Sequence, residues 1–128
     1  MLPLPGREER RLLLVAEFKE YVMCCSHFSL TKEDQVLSVP IILDALKDIR
    51  KPLFLAGDMN SIQGSPTQNA LQEKFMPLNN YKDNTIPGQS PNRCIDLFMD
   101  LIMEINILSY VVRCFMTNRS PRIICLFS

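Results

Sequence analysis

The sequence predicts an α/β fold, and three observations predict it. Apolar runs of strand length stand at 12–18, 21–25 and 52–56. A segment with helical spacing, 31–49, separates the second run from the third, and the third leads through a polar loop into another helix. Alternation of strands with helices, instead of strands alone, is the signature of a sheet backed by helices.

In chain order, a Pro3-Leu4-Pro5-Gly6 opening precedes Leu12-Leu13-Leu14-Val15-Ala16-Glu17-Phe18, a strand. Lys19-Glu20 makes a turn into Tyr21-Val22-Met23-Cys24-Cys25, so the two runs read as an antiparallel hairpin. Thr31 stands at a helix N-cap, with Glu33 and Asp34 in the first turn where carboxylates favour the helix dipole. Val36, Val39, Leu43, Leu46 and Ile49 then give one buried face through Ile49, and Pro40 inside that span predicts a kink or break. Pro52-Leu53-Phe54-Leu55-Ala56 is a buried strand that ends in Gly57-Asp58-Met59-Asn60. Ser65-Pro66 starts a helix expected to reach Phe75, because proline suits a first turn. Asn, Pro, Gly and Asp make 78–92 a long loop, and Arg93-Cys94-Ile95-Asp96-Leu97-Phe98 returns as a strand.

The chain has 128 residues and is 47% hydrophobic, enough for one domain with a core. Fourteen basic and fourteen acidic residues cancel, so there is no whole-chain charge signature for nucleic acid or an anionic membrane. Any phosphate recognition is local. Five cysteines with no C-x-x-C pair, beside one histidine, argue against structural zinc. Adjacent Cys24 and Cys25 point to opposite strand faces, which suits reduced thiols and a reducing compartment. No secretory signal opens the chain, so the cytoplasm is the expected location as written, with export open to a longer parent. The apolar stretch 101–116 is interrupted by Glu104, Asn106 and Arg113 and falls short of a membrane span.

Asp58 and Asn60, two apart after a buried strand, project the same way and offer a carboxylate base beside a neutral donor. Phosphoester hydrolysis needs an oriented water and donors or cations for the phosphate oxygens. The same Asp-x-Asn pattern also suits the turn after any strand. His27 follows its strand in Ser26-His27-Phe28-Ser29, where an imidazole can donate to a phosphate oxygen or serve structurally. Asp96, between Ile95 and Leu97 on an apolar strand, is expected to be buried and to need a partner.

Taken in order, Ser26-His27-Phe28-Ser29, Gly57-Asp58-Met59-Asn60 with Ser65-Pro66 behind it, and Arg93-Cys94-Ile95-Asp96 resemble three motifs of the endonuclease/exonuclease/phosphatase superfamily, over roughly residues 3 to 98. The resemblance implies a partial four-layer α/β sandwich and metal-dependent hydrolysis of a phosphodiester or phosphomonoester with Mg2+ or Mn2+. It implies that His27 contacts the phosphate, Asp58 aligns the attacking water with a possible part in metal binding, Asn60 binds the phosphate, and Asp96 orients a histidine. That histidine belongs to a Ser-Asp-His absent from this sequence, and the principal metal-binding Asn and Glu belong to a first half that would precede Met1.

The expected organisation is therefore residues 1–98 as a C-terminal half with open sheet edges and an uncovered apolar face, followed by an out-of-frame tail, 99–128. Residues 120–126 can be back-translated, with codons chosen freely, as TCG CCT CGG ATC ATC TGC CTC, which in another frame encodes Ser-Asp-His-Leu-Pro. One base restored after Asp96 likewise permits Ile-Asp-Tyr-Ile, a common form in the family, so the shift is expected to begin at Leu97. The expected partners are a phosphoester substrate and an N-terminal complementing fragment. Negligible activity, or a non-catalytic phosphate-binding remnant, is the expectation for the chain alone.

Overall fold

The computed structural model describes residues 1–102. Six strands form one sheet: β1 Leu2–Leu4, β2 Arg11–Glu17, β3 Val22–His27, β4 Leu53–Asp58, β5 Phe75–Pro77 and β6 Asp96–Leu101. Two helices join them, α1 Lys32–Leu46 and α2 Pro66–Gln72. The sheet order is β1-β2-β3-β4-β6-β5, and among these pairings only β3 and β4 are parallel. A parallel pair needs a long crossover, which α1 supplies. The predicted α/β class and the hairpin of β2 and β3 are both present.

The strands alternate, and the helices cover only one face. Leu13, Val22, Cys24, Leu53, Leu55, Leu97 and Met99 point to the covered face and are buried with Val39, Ile42 and Leu46 of α1 and Leu71 of α2. Phe75 closes the same core from β5. The opposite face carries three registered rows: Leu12, His27, Asp58 and Asp96; then Leu14, Cys25, Ala56 and Phe98; then Ala16, Met23, Phe54, Asp100 and Met76. Among the described residues nothing buries this second face, and Leu12, Leu14 and Met76 are exposed there. Phe54 and Phe98 stack on it with ring centroids 5.6 Å apart. Burial raises the carboxyl of Asp100 above the usual range, since it stands among these apolar neighbours.

The open edges expected from the sequence are blunted. β1 and β5 are three residues each and carry Pro3 and Pro77, which limits strand addition at either edge. Among the described residues, the region left uncovered is the face.

Several boundaries differ for physical reasons. β1 was not apparent because two of six residues in its opening segment are proline. α1 stops at Leu46 and runs unbroken through Pro40. Val36 and Pro40 both lie on the exposed side, so the carbonyl that proline leaves without a donor faces water. The buried face of α1 is also rotated from the apolar stripe: Asp34, Gln35 and Ser38 are buried, whereas Val36 is 38% exposed. α2 ends at Gln72, because Phe75 is used in β5. The returning strand starts at Asp96 and extends to Leu101.

β4 approaches β3 closely at one point. Gly57 has φ +141°, and a Cβ there would lie 1.9 Å from the carbonyl oxygen of Ser26. Gly57→Ala is therefore expected to lower stability by about 3 kcal/mol, through strain and steric overlap together, as a fall in denaturant midpoint. A second expectation concerns the thiols. Cys24 is buried and its thiol is pushed up to about 11, first by burial and then by Cys25, while burial also raises Cys94. Iodoacetamide at pH 8 should alkylate exposed Cys25 in the folded protein and reach Cys24 and Cys94 only after unfolding. Peptide mapping by mass spectrometry checks this, and equal rates at Cys24 and Cys25 would contradict it.

Candidate active site

Parallel pairing sets His27 directly opposite Asp58, and antiparallel pairing sets Asp58 opposite Asp96. Three of the four residues singled out in the sequence thus form one row across β3, β4 and β6, at the end of the uncovered face. His27 Nε2 lies 3.5 Å from Asp58 Oδ2, with the imidazole more exposed than the carboxylate. An open groove beside His27 is lined by Arg10, Arg11, Leu12, Leu14, Cys25 and Ser26.

Asn60 completes the group from the loop. Its backbone N–H donates to Asp58 Oδ1 at 2.8 Å, closing an Asx turn, and its side-chain Nδ2 donates to the carbonyl of Phe28 at 2.8 Å. Asn60 has φ +47°, a left-handed conformation that asparagine tolerates better than most residues. The turn therefore occupies one oxygen of Asp58 and leaves the other toward His27. The second N–H of the Asn60 amide has no protein partner among the described residues. The turn reading of Asp-x-Asn holds for this loop, and the turn sets Asn60 beside Asp58.

Backbone bonds continue past the strands. Phe28 N–H donates to Asp58 O at 2.9 Å, and Met59 N–H donates to Ile95 O at 2.9 Å. Behind them lies a buried polar layer that the sequence reading missed. Gln35 Nε2 donates to Ser29 O at 2.7 Å and to Asn60 O at 3.0 Å, while Thr67 Oγ1 donates to Gln35 Oε1 at 3.2 Å. Gln68 Nε2 donates to Ser61 Oγ at 2.9 Å, and Tyr81 donates to Gln68 Oε1 at 3.1 Å. The available signal was polarity at Gln35 and Ser38, one helical turn apart on a face that should have been apolar.

Asp96 corrects an expectation. It is exposed, because its neighbours Ile95 and Leu97 take the inward positions. The deeply buried carboxylate is Asp34, 5% exposed, 3.3 Å from Arg7 Nε and accepting from Arg7 N–H at 3.0 Å and Ser29 Oγ at 3.4 Å. The argument that a buried charge needs partners holds, but it applies to Asp34.

No three His, Cys, Asp or Glu side chains converge on one point among the described residues. These residues do not by themselves form a metal centre, although Asp58 and Asp96, registered opposite one another, are like charges that a cation would relieve.

The fold resembles that of endonuclease/exonuclease/phosphatase proteins of solved structure. An endonuclease/exonuclease/phosphatase from Bacteroides vulgatus superposes with a TM-score of 0.57 at 18% identity, covering 73% of this chain and 44% of that one. A family protein from Bacteroides thetaiotaomicron gives 0.51 at 20% identity, covering 64% and 35%. Sphingomyelinase C from Streptomyces griseocarneus gives 0.50 at 18% identity, covering 73% and 42%. The resemblance read from the motifs is met at the level of fold. The chain spans less than half the length of these structures. No protein-family model and no curated protein matches it.

No helix of the described residues is long and apolar enough to cross a membrane. The rest of the proposed out-of-frame tail, from residue 103, lies outside the described residues.

Asn60→Ala should lower stability by about 2 kcal/mol, since it leaves Phe28 O without its donor and places alanine at positive φ. Asn60→Gly should lose less, because glycine accepts the backbone. Chemical denaturation of both variants measures the difference, and equal losses would remove the conformational part of the argument.

Proposed function

We propose that this chain is the C-terminal half of a phosphoesterase of the endonuclease/exonuclease/phosphatase type. The intact enzyme hydrolyses a phosphodiester or phosphomonoester, and the chain alone is inactive. The observation that carries the reading is the His27–Asp58 pair, 3.5 Å apart on parallel strands, with Asn60 turned beside it by the Asx turn. In this arrangement Asp58 Oδ2 accepts from a water and orients it for in-line attack. His27 and the remaining N–H of Asn60 donate to phosphate oxygens, where negative charge grows in the transition state. Asp96 stands next in the row, ready to orient a histidine supplied from elsewhere.

Mg2+ or Mn2+ is the cofactor in this reading. Its principal donors would be an Asn and a Glu from a first half, as the resemblance implies. That half is also the proposed partner, encoded with this chain or separately as a complementing fragment, and the uncovered apolar face supports its docking. Residues from Leu97 onward are proposed to be read one base out of frame. A phosphate-binding remnant without turnover is the second reading.

In a frame-repaired, full-length version, Asp58→Ala should reduce magnesium-dependent hydrolysis of a phosphodiester by roughly 100-fold or more. Retained activity would overturn the site assignment. The present chain should show no turnover under the same conditions. The nucleotide sequence tests the frame directly, and a stop codon in the alternative frame before Ser-Asp-His would refute the shift.

A further inference from the structure

We infer that Gln35 is a positioning residue that clamps the two site loops in register, and that it acts through these loops without touching substrate. The inference rests on the proposed phosphoester site only for what the clamp serves. The side chain of Gln35 is 2% exposed and lies between the loop after β3 and the loop after β4. Both atoms facing its amide nitrogen are carbonyl oxygens, Ser29 O at 2.7 Å and Asn60 O at 3.0 Å. The orientation of the amide is therefore fixed, since carbonyl oxygen can only accept. Thr67 donates to the remaining Oε1 at 3.2 Å, so α2 holds the clamp from behind.

The consequence reaches His27 and Asp58 through short covalent paths. Ser29 is two residues from His27, and Asn60 is two residues from Asp58. Within that span Phe28 N–H donates to Asp58 O, and Asn60 Nδ2 donates to Phe28 O. The loops are thus joined by bonds at successive positions, of which Gln35 makes the outermost two. Without it, both carbonyls are left buried and unpaired, and the loops can separate beyond the last strand bond. A helix face that buries Gln35 and Ser38 in place of apolar residues gains nothing in transfer energy, which is consistent with a role in placing the loops.

The test uses the full chain, isotopically labelled, with Gln35→Leu, Gln35→Glu and Thr67→Val, and with Ile42→Ala as a destabilised control on the same helix. Amide exchange at Phe28 and Asn60 should accelerate at least about tenfold relative to Leu55 in Gln35→Leu, the loss expected for one buried hydrogen bond. Ile42→Ala should change the three amides together. Gln35→Glu should show the fast loops at neutral pH and recover order as pH falls. Its carboxylate opposes two carbonyls when charged and regains a donor when protonated, so its folded pKa is raised and stability is lost as pH rises. Thr67→Val should give a smaller change at the same amides, and it decides the question if the Gln35 variants do not fold.

Equal acceleration at all three amides in Gln35→Leu, or a pH-independent Gln35→Glu, would overturn the clamp. Titration with inorganic phosphate, followed at the His27 ring, separates the two claims. Phosphate binding that Gln35→Leu weakens supports both. Binding unaffected by Gln35→Leu overturns the clamp alone. No binding by the unmodified chain counts against the phosphoester reading, while the exchange results still decide the clamp.

Discussion

The site depends on how closely β4 can approach β3. At Gly57 there is no room for a side chain, and the φ of +141° is one that L residues avoid. Because the strands meet there, the parallel ladder continues to its last pair, His27 opposite Asp58, and the loops beyond it can exchange hydrogen bonds. A ladder ending earlier would leave the imidazole and the carboxylate on separate loops. One glycine thus decides whether two side chains 31 residues apart in sequence act together.

The sheet meets two different requirements on its two faces. Helices α1 and α2 bury the inward residues, and the polar stripe of α1 meets the site loops where the apolar core gives way to hydrogen bonding. The outward face combines stacked aromatic and aliphatic residues with a row of His27, Asp58 and Asp96 at one end. A surface of this kind, polar only along one margin, suits a second layer that covers the apolar rows and leaves the polar row at a cleft. The short proline-bearing edge strands limit strand addition at either edge.

Much of this could be read from the residues. The apolar runs gave β2, β3 and β4, and the crossover helix between β3 and β4 followed from spacing and from acids in its first turn. His27, Asp58 and Asn60 were identified by residue type and position at strand ends, and the structure brings them together. Three features were hidden for physical reasons. Prolines masked β1, whose pairing is set by β2 and not by its own propensity. Asp96 looked buried because its neighbours are apolar, but the alternation of a strand turns it outward. Gln35 drew no notice in the sequence, since nothing local shows that its amide meets the carbonyls of Ser29, six residues before it, and Asn60, 25 residues after it.

The central claim is the parallel register that makes neighbours of His27 and Asp58. Cross-strand nuclear Overhauser contacts between β3 and β4 in the labelled chain test it most directly. The account predicts contacts that pair Cys25 with Ala56, Ser26 with Gly57 and His27 with Asp58. A ladder shifted by one residue, pairing His27 with Gly57 and turning Asp58 to the covered face, would contradict it.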